Sequence, residues 1–319
     1  MTFTLVHLSD PHFGAVADLA QVEAVEALIP DLEPRVIVIS GDLTQRARHG
    51  EFQAARQYIR ELERTAPVYV LPGNHDVQWW HRPFIPFAPA VKYWKYRAYF
   101  GPSLTPTLEF PEAVIAGALT SHGVAWGSLT LRPRDIAVKG HLPLHEVKRV
   151  TTLFAKTKPE QARILVVHHN VLRGKISGRM GLSRWKQAQR RILQSGADLV
   201  LCGHDHQEQI DLLGGKVVVS CAGTLSTRSR GDRPSTFHRI SVDAESIQVE
   251  LFRWDEPRKV FKRSDVFAFA RRVRGQLRAS EELARHVHID PEILVHPSVE
   301  EPRSRSRGLP RGFPEEIDS

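Results

Sequence analysis

A chain of 319 residues, 41% hydrophobic and 25% charged, has the composition of an ordinary globular protein with room for one large domain or two small ones. Two cysteines exclude a disulfide framework, and no apolar stretch is long enough to span a bilayer. A formal charge of +8 and a pI near 9.7 point to anionic partners, whether a phosphorylated substrate, nucleic acid or an anionic membrane.

Residues 1–9 run straight into an apolar segment with neither a basic n-region nor a cleavage site, so no signal peptide is expected. With so few cysteines, a reducing cytoplasm is the expected compartment. Cys202 and Cys221 each end a valine-rich run and read as small buried residues. Short apolar runs follow one another at 4–8, 36–39, 68–71, 164–167, 199–202 and 217–220. Between the first two, Leu19, Val22, Val25 and Leu28 share one helical face; between the second and third, Phe52, Ala55, Ile59 and Leu62 do the same. Fully apolar runs alternating with amphipathic helices predict an α/β domain, residues 1–252, whose strands are buried on both faces.

Residues 79–100 are rich in aromatics and proline without a clean period, and read either as an insertion packing its own cluster or as a cap over a site. Val266, Phe269, Val273 and Leu277, flanked by arginines, predict a basic C-terminal helical extension over 253–296. Such a helix would dock on the main domain or make a peripheral membrane contact. From 297 to 319 the chain has little to bury, and a disordered tail is expected.

The apolar runs end in an unusual way. In order they are followed by Ser9-Asp10-Pro11-His12, Gly41-Asp42, Gly73-Asn74-His75-Asp76, His168-His169-Asn170 and Gly203-His204-Asp205-His206. Open α/β sheets bind ligands beyond the carboxyl ends of their strands, so neighbouring strands would bring all five clusters into one crevice. Packed carboxylates repel and are costly to bury, and divalent cations remove both problems. Histidine nitrogen with carboxylate and amide oxygen suits Mn, Fe, Co, Ni or Zn. The near absence of cysteine argues against a structural zinc site. Each motif alone is weak, and Gly-Asp after a strand is commonly a turn. Five in series, each closing an apolar run, are not a coincidence.

Together these motifs resemble the calcineurin-like metallophosphoesterase family over about residues 3 to 252. The stretch 67–76, PVYVLPGNHD, is most similar to its bacterial cyclic-nucleotide phosphodiesterase branch. The resemblance implies a two-sheet α/β sandwich flanked by helices, where periodicity alone suggested a single open sheet. It also implies that Asp10, His12, Asp42 and His206 hold one metal. Asp42 would bridge to a second, completed by Asn74, His168 and His204. His168 is preferred to His169 because it directly follows the apolar run. The bacterial branch often has prolines after the paired histidines; here Asn170-Val171-Leu172 stands instead, which bears on the substrate rather than the metals.

A dinuclear pair of this kind activates water and clamps an in-line displacement at phosphorus. His75 is the expected acid for the departing alkoxide, with Asp76 orienting its ring. The expected function is therefore hydrolysis of a small phosphodiester. Alternatives are a hydrolase of nucleotide-linked lipid precursors, a DNA nuclease and a non-catalytic scaffold. The intact ligand set argues against the last.

Overall fold

Among the described residues, backbone hydrogen bonds join twelve strands into two sheets of six. The computed structural model describes residues 2–78, 92–123 and 138–271. These all fall within one unit, Met1–Ile289, and residues 290–319 lie outside the described residues.

In the first sheet, β1 (Phe3–Leu8), β2 (Val36–Ile39) and β3 (Val68–Val70) run parallel. Antiparallel strands β10 (Thr236–Val242), β11 (Ser246–Asp255) and β12 (Val260–Ala270) extend it on the β1 side. The second sheet has a parallel centre of β5 (Ala113–Gly117), β6 (Ala162–His169), β7 (Leu199–Gly203) and β9 (Val217–Cys221). Antiparallel β4 (Thr107–Glu109) and β8 (Gln209–Leu213) border it.

Alternation along each strand divides the core. Phe3 and Leu5 join Val36, Val38, Ile164, Val166, Leu199 and Leu201 in a layer contributed by both sheets. Val6, Leu8, Ile37 and Ile39 point the other way, onto α1 (Leu19–Leu28) and α2 (His49–Leu62). On the far side, Leu165, Val167 and Val200 meet α4 (Leu144–Ala155) and α5 (Trp185–Ser195). The result is an α/β sandwich of two facing sheets with helices outside each. The single open sheet suggested by periodicity is thereby corrected, because inward and outward faces of one buried strand are equally apolar in sequence.

Two further expectations change. The boundary at 252 falls inside β11, which ends at Asp255, and the sheet continues through β12. Val266 and Phe269 lie on that strand, not on a helix. Ten of its residues pair with β11, so backbone pairing overrides a helical spacing that rested on a few apolar positions. Val273 and Leu277 lie outside the described residues, as does the expected tail. Within the aromatic insertion, residues 79–91 are also outside them. The part that follows forms α3 (Trp94–Phe100), whose Tyr96, Tyr99 and Phe100 pack on the α2 core, with Tyr99 stacked on Phe52 at 5.4 Å.

Candidate metal centre

The parallel strands of both sheets end on the same side. β1 delivers Asp10 and His12, β2 delivers Asp42, and β3 delivers Asn74 and His75. From the second sheet, β6 delivers His168 and β7 delivers His204 and His206. The turns are tight enough that five of these residues adopt left-handed backbone: Asp10 (φ 53), His12 (φ 48), Asp42 (φ 52), His204 (φ 74) and His206 (φ 53). Such conformations cost about 1–2 kcal/mol each for a residue with a Cβ, and their concentration here marks a site held against local preference. Gly41 (φ 104) and Gly73 let two turns approach. A Cβ on Gly73 would overlap the Asp42 carboxylate, and one on Gly203 would overlap Ser9 and Asp10.

Two donor clusters result. In the first, Asp10, His12, Asp42 and His206 bring ligand atoms within 4.8 Å of one another, all buried. His206 Nε2 lies 3.2 Å from Asp10 Oδ1 and 3.0 Å from His12 Nε2. In the second, Asn74 Oδ1 lies 3.1 Å from His168 Nε2 and 2.9 Å from His204 Nδ1, and the two nitrogens are 3.3 Å apart. Asp42 Oδ2 belongs to both, 3.7 Å from His12 Nε2 and 3.3 Å from His168 Nε2. All seven residues named as ligands from sequence are thus gathered here. His169 also brings a ligand atom within 4.8 Å of those of His168 and His204, while its Nδ1 meets Thr120 Oγ1 at 2.9 Å and its Nε2 the Val138 carbonyl at 3.0 Å.

Second partners fix which atom each ring presents. His168 Nδ1–H donates to the Ser40 carbonyl (2.9 Å) and His206 Nδ1–H to the Arg228 carbonyl (2.9 Å), leaving each Nε2 to face the cluster. Asp10 Oδ2 accepts from the Ser9 hydroxyl (2.5 Å) and the His204 N–H (2.9 Å), while buried Oδ1 has no hydrogen-bond partner. Electrostatics are consistent with a cation site. Burial lowers His12 to about 4, partly offset by Asp10 and Asp42, and burial with the charge of His168 lowers His204 to about 3. Burial acts on His168 in the same sense, but Asp42 outweighs it and raises the ring to about 9. An unpartnered buried carboxylate oxygen, ring nitrogens in mutual contact and one carboxylate shared by both clusters fit a pair of transition-metal ions.

His75 lies at the edge of this centre, its ring 4.8 Å from that of His12 and perpendicular to it. Its backbone N–H donates to Asp42 Oδ1 (2.8 Å) and its Nδ1–H to the Gln45 carbonyl (2.7 Å). The expected orienting contact from Asp76 is not there. The Asp76 carboxylate instead accepts from the N–H groups of Leu43 (3.1 Å), Thr44 (2.8 Å) and Gly73 (2.9 Å) and from the Thr44 hydroxyl (2.8 Å). It staples the turn after β2 to the turn after β3, although burial and the nearby Asp42 raise it to about 7. The orienting group is a backbone carbonyl, which has no signature in sequence. The Arg228 carbonyl on His206 and the Ser40 carbonyl on His168 were missed for the same reason.

A cleft of about 930 Å³ opens over the centre and is lined by Asp42, Asn74, His75, His204 and His206. Its walls add Lys139, Arg173, Arg179, Arg228, Arg230 and Trp185. The loop bearing Arg173 and Arg179 is tied to the metal turn: Asp205, between two of the ligands, accepts from the Ser177 hydroxyl (2.6 Å) and from Gln207 Nε2. Arg230 Nε donates to the Asp205 carbonyl (2.7 Å).

Comparison with known proteins agrees with this geometry. Residues 3–208 match the family model of the calcineurin-like phosphoesterases. A "transmembrane protein with metallophosphoesterase domain" from Danio rerio is 31% identical over 72 residues, 23% of this chain but 16% of that protein. Among solved structures, a dimetal phosphatase from Danio rerio superposes with a TM-score of 0.61 at 9% identity, covering 85% of this chain and 99% of its own. A purple acid phosphatase from yellow lupin (Lupinus luteus) seeds gives 0.59 at 12% identity, covering 85% of this chain and 54% of its own. At such identities these two likenesses are of fold. The family match runs through every cluster of the buried centre, and the chain therefore belongs to the calcineurin-like phosphoesterase family.

Proposed function

We propose that the protein hydrolyses a small phosphodiester, such as a cyclic nucleotide, using two transition-metal ions drawn from Mn, Fe, Zn, Co and Ni. Asp10, His12, Asp42 and His206 would hold one ion, and Asp42, Asn74, His168 and His204 the other. When bound, such a pair makes water acidic enough to attack and neutralises charge on the phosphoryl oxygens. His75 supplies the leaving-group proton. Its Nδ1–H is taken by the Gln45 carbonyl, so the proton given to the departing oxygen comes from Nε2 of the imidazolium.

The observation that carries the diester reading is the cleft. About 930 Å³ over the centre has room for two substituents on phosphorus, and its arginines suit an anion larger than free phosphate. The Mn-loaded enzyme is expected to turn over bis-p-nitrophenyl phosphate with a higher kcat/KM than p-nitrophenyl phosphate. Hydrolysis of the monoester alone would overturn the diester reading and leave the metal centre intact. Arg173→Ala with Arg179→Ala should raise KM about tenfold, or ~1.4 kcal/mol, with kcat little changed, as loss of uniform binding requires. A fall in kcat at constant KM would place these side chains in the chemistry instead.

The cytoplasm remains part of this proposal. Its support is that Cys202 and Cys221, register partners on β7 and β9, are both buried and free. A lipid-directed activity would draw on the aromatic-rich insertion and on a basic C-terminal helix, and β12 removes Val266 and Phe269 from that helix.

A further inference from the structure

Behind the metal centre, six polar side chains form one connected line between the two sheets, every one of them completely buried. The Ser9 hydroxyl donates to Asp10 Oδ2 (2.5 Å), and the Ser40 hydroxyl donates to Ser9 Oγ (2.8 Å). His7 Nε2 lies 3.0 Å from Ser40 Oγ, and its Nδ1 2.9 Å from Ser220 Oγ. Ser220 Oγ in turn lies 2.7 Å from His238 Nδ1, and His238 Nε2 ends the line with no partner. His7 and His238 are register partners on β1 and β10, whereas Ser220 comes from β9 of the opposite sheet.

The proton positions follow from the carboxylate end. Asp10 is an anion and can only accept, so Ser9 must donate to it, and Ser40 must then donate to Ser9. Ser40 Oγ has spent its proton, so His7 Nε2 carries the hydrogen of the next bond. Burial lowers both His7 and His238, which keeps each ring neutral with one N–H. His7 Nδ1 is then a bare acceptor, Ser220 donates to it, and His238 Nδ1–H donates to Ser220. Every dipole of the line points the same way, and the unpartnered His238 Nε2 is the lone pair that this polarity leaves over.

We infer that His7 is a positioning residue for the metal centre: through Ser40 and Ser9 it fixes Asp10 Oδ2 and so turns Oδ1 to face His12 and His206. The inference rests on the dinuclear reading above. The other inward positions of β1, Phe3 and Leu5, are apolar, so a histidine stands out at this point of the strand. A line of aligned hydrogen bonds in a dry interior polarises cooperatively, and second partners of metal ligands act on affinity by about 10–100-fold.

The test uses the full chain and Mn²⁺ titrated by calorimetry, with no substrate. His7→Phe keeps ring bulk but removes both hydrogen bonds, and Ser40→Ala cuts the line while leaving the Ser40 carbonyl on His168 Nδ1. Both should weaken the first-cluster ion about tenfold or more and the second-cluster ion less than twofold. His7→Gln, which restores an N–H toward Ser40, should recover most of the loss. Long-range ¹⁵N–¹H spectra of the unsubstituted protein should show His7 as the Nε2–H tautomer and His238 as the Nδ1–H tautomer. Wild-type Mn²⁺ affinities in folded Ser40→Ala, equal weakening of both ions, or an Nδ1–H tautomer at His7 would each overturn the inference. Failure of the unsubstituted protein to bind Mn²⁺ would instead remove the dinuclear reading, and the tautomers would still decide the line itself.

Discussion

Asp42→Asn should lower kcat/KM on bis-p-nitrophenyl phosphate by at least about 10³-fold, ~4 kcal/mol of transition-state stabilisation, with the far-ultraviolet circular dichroism unchanged. Among the described residues, Asp42 Oδ2 is the carboxylate oxygen in contact with both donor clusters, at 3.7 Å from His12 and 3.3 Å from His168. Asparagine can retain the bond from the His75 N–H to the other oxygen, so the turn has no reason to move. What is lost is one of two carboxylates that, among the described residues, face His12, His168, His204 and His206, and with it the charge that makes a pair of cations tolerable so close together. Metal analysis should find less than the full complement in the variant at equal Mn supply. Undiminished activity in this variant would remove the centre as the seat of catalysis.

His75→Ala should act differently. With its ring beside rather than within the donor clusters, the variant is expected to bind its full complement of ions and to lose about 10²–10⁴ in kcat on an alkyl diester. KM should change little. The loss should shrink on bis-p-nitrophenyl phosphate, whose nitrophenolate leaves without a proton. This contrast separates a proton donor from a residue that merely shapes the cleft, since a shape effect would be the same for both leaving groups. Equal losses on the two substrates would therefore sink the assigned role. Asp76→Asn gives the companion result. Its carboxylate ties two turns together through four donors, so its loss should lower the melting temperature and affect both substrates alike.

The gathering of these residues was legible in the chain because the capacity to hold a metal is carried by side-chain identity. Asp10, His12, Asp42, Asn74, His168, His204 and His206 stand in five short motifs, each directly after an apolar run, and strand direction alone sends them to one edge. The α/β class was legible for a similar reason, since β1, β2, β6, β7 and β9 are nearly continuous hydrophobic segments.

Other features needed the third dimension. Strands buried on both faces carry no mark of which face meets a helix and which a second sheet, so the split into two sheets was invisible to periodicity. β12 mixes polar and apolar residues, and is a strand because β11 offers it a ladder. The orienting groups on His75, His168 and His206 are backbone carbonyls, which every residue possesses, and only the turns decide where they point. The line from His238 to Asp10 joins three strands and two turns from separate parts of the chain, so no local spacing announces it. Residue types determined by themselves which chemistry was available. Which oxygen of Asp10 is left for a metal, and which nitrogen each histidine presents, are matters of hydrogen-bond geometry that only packing decides.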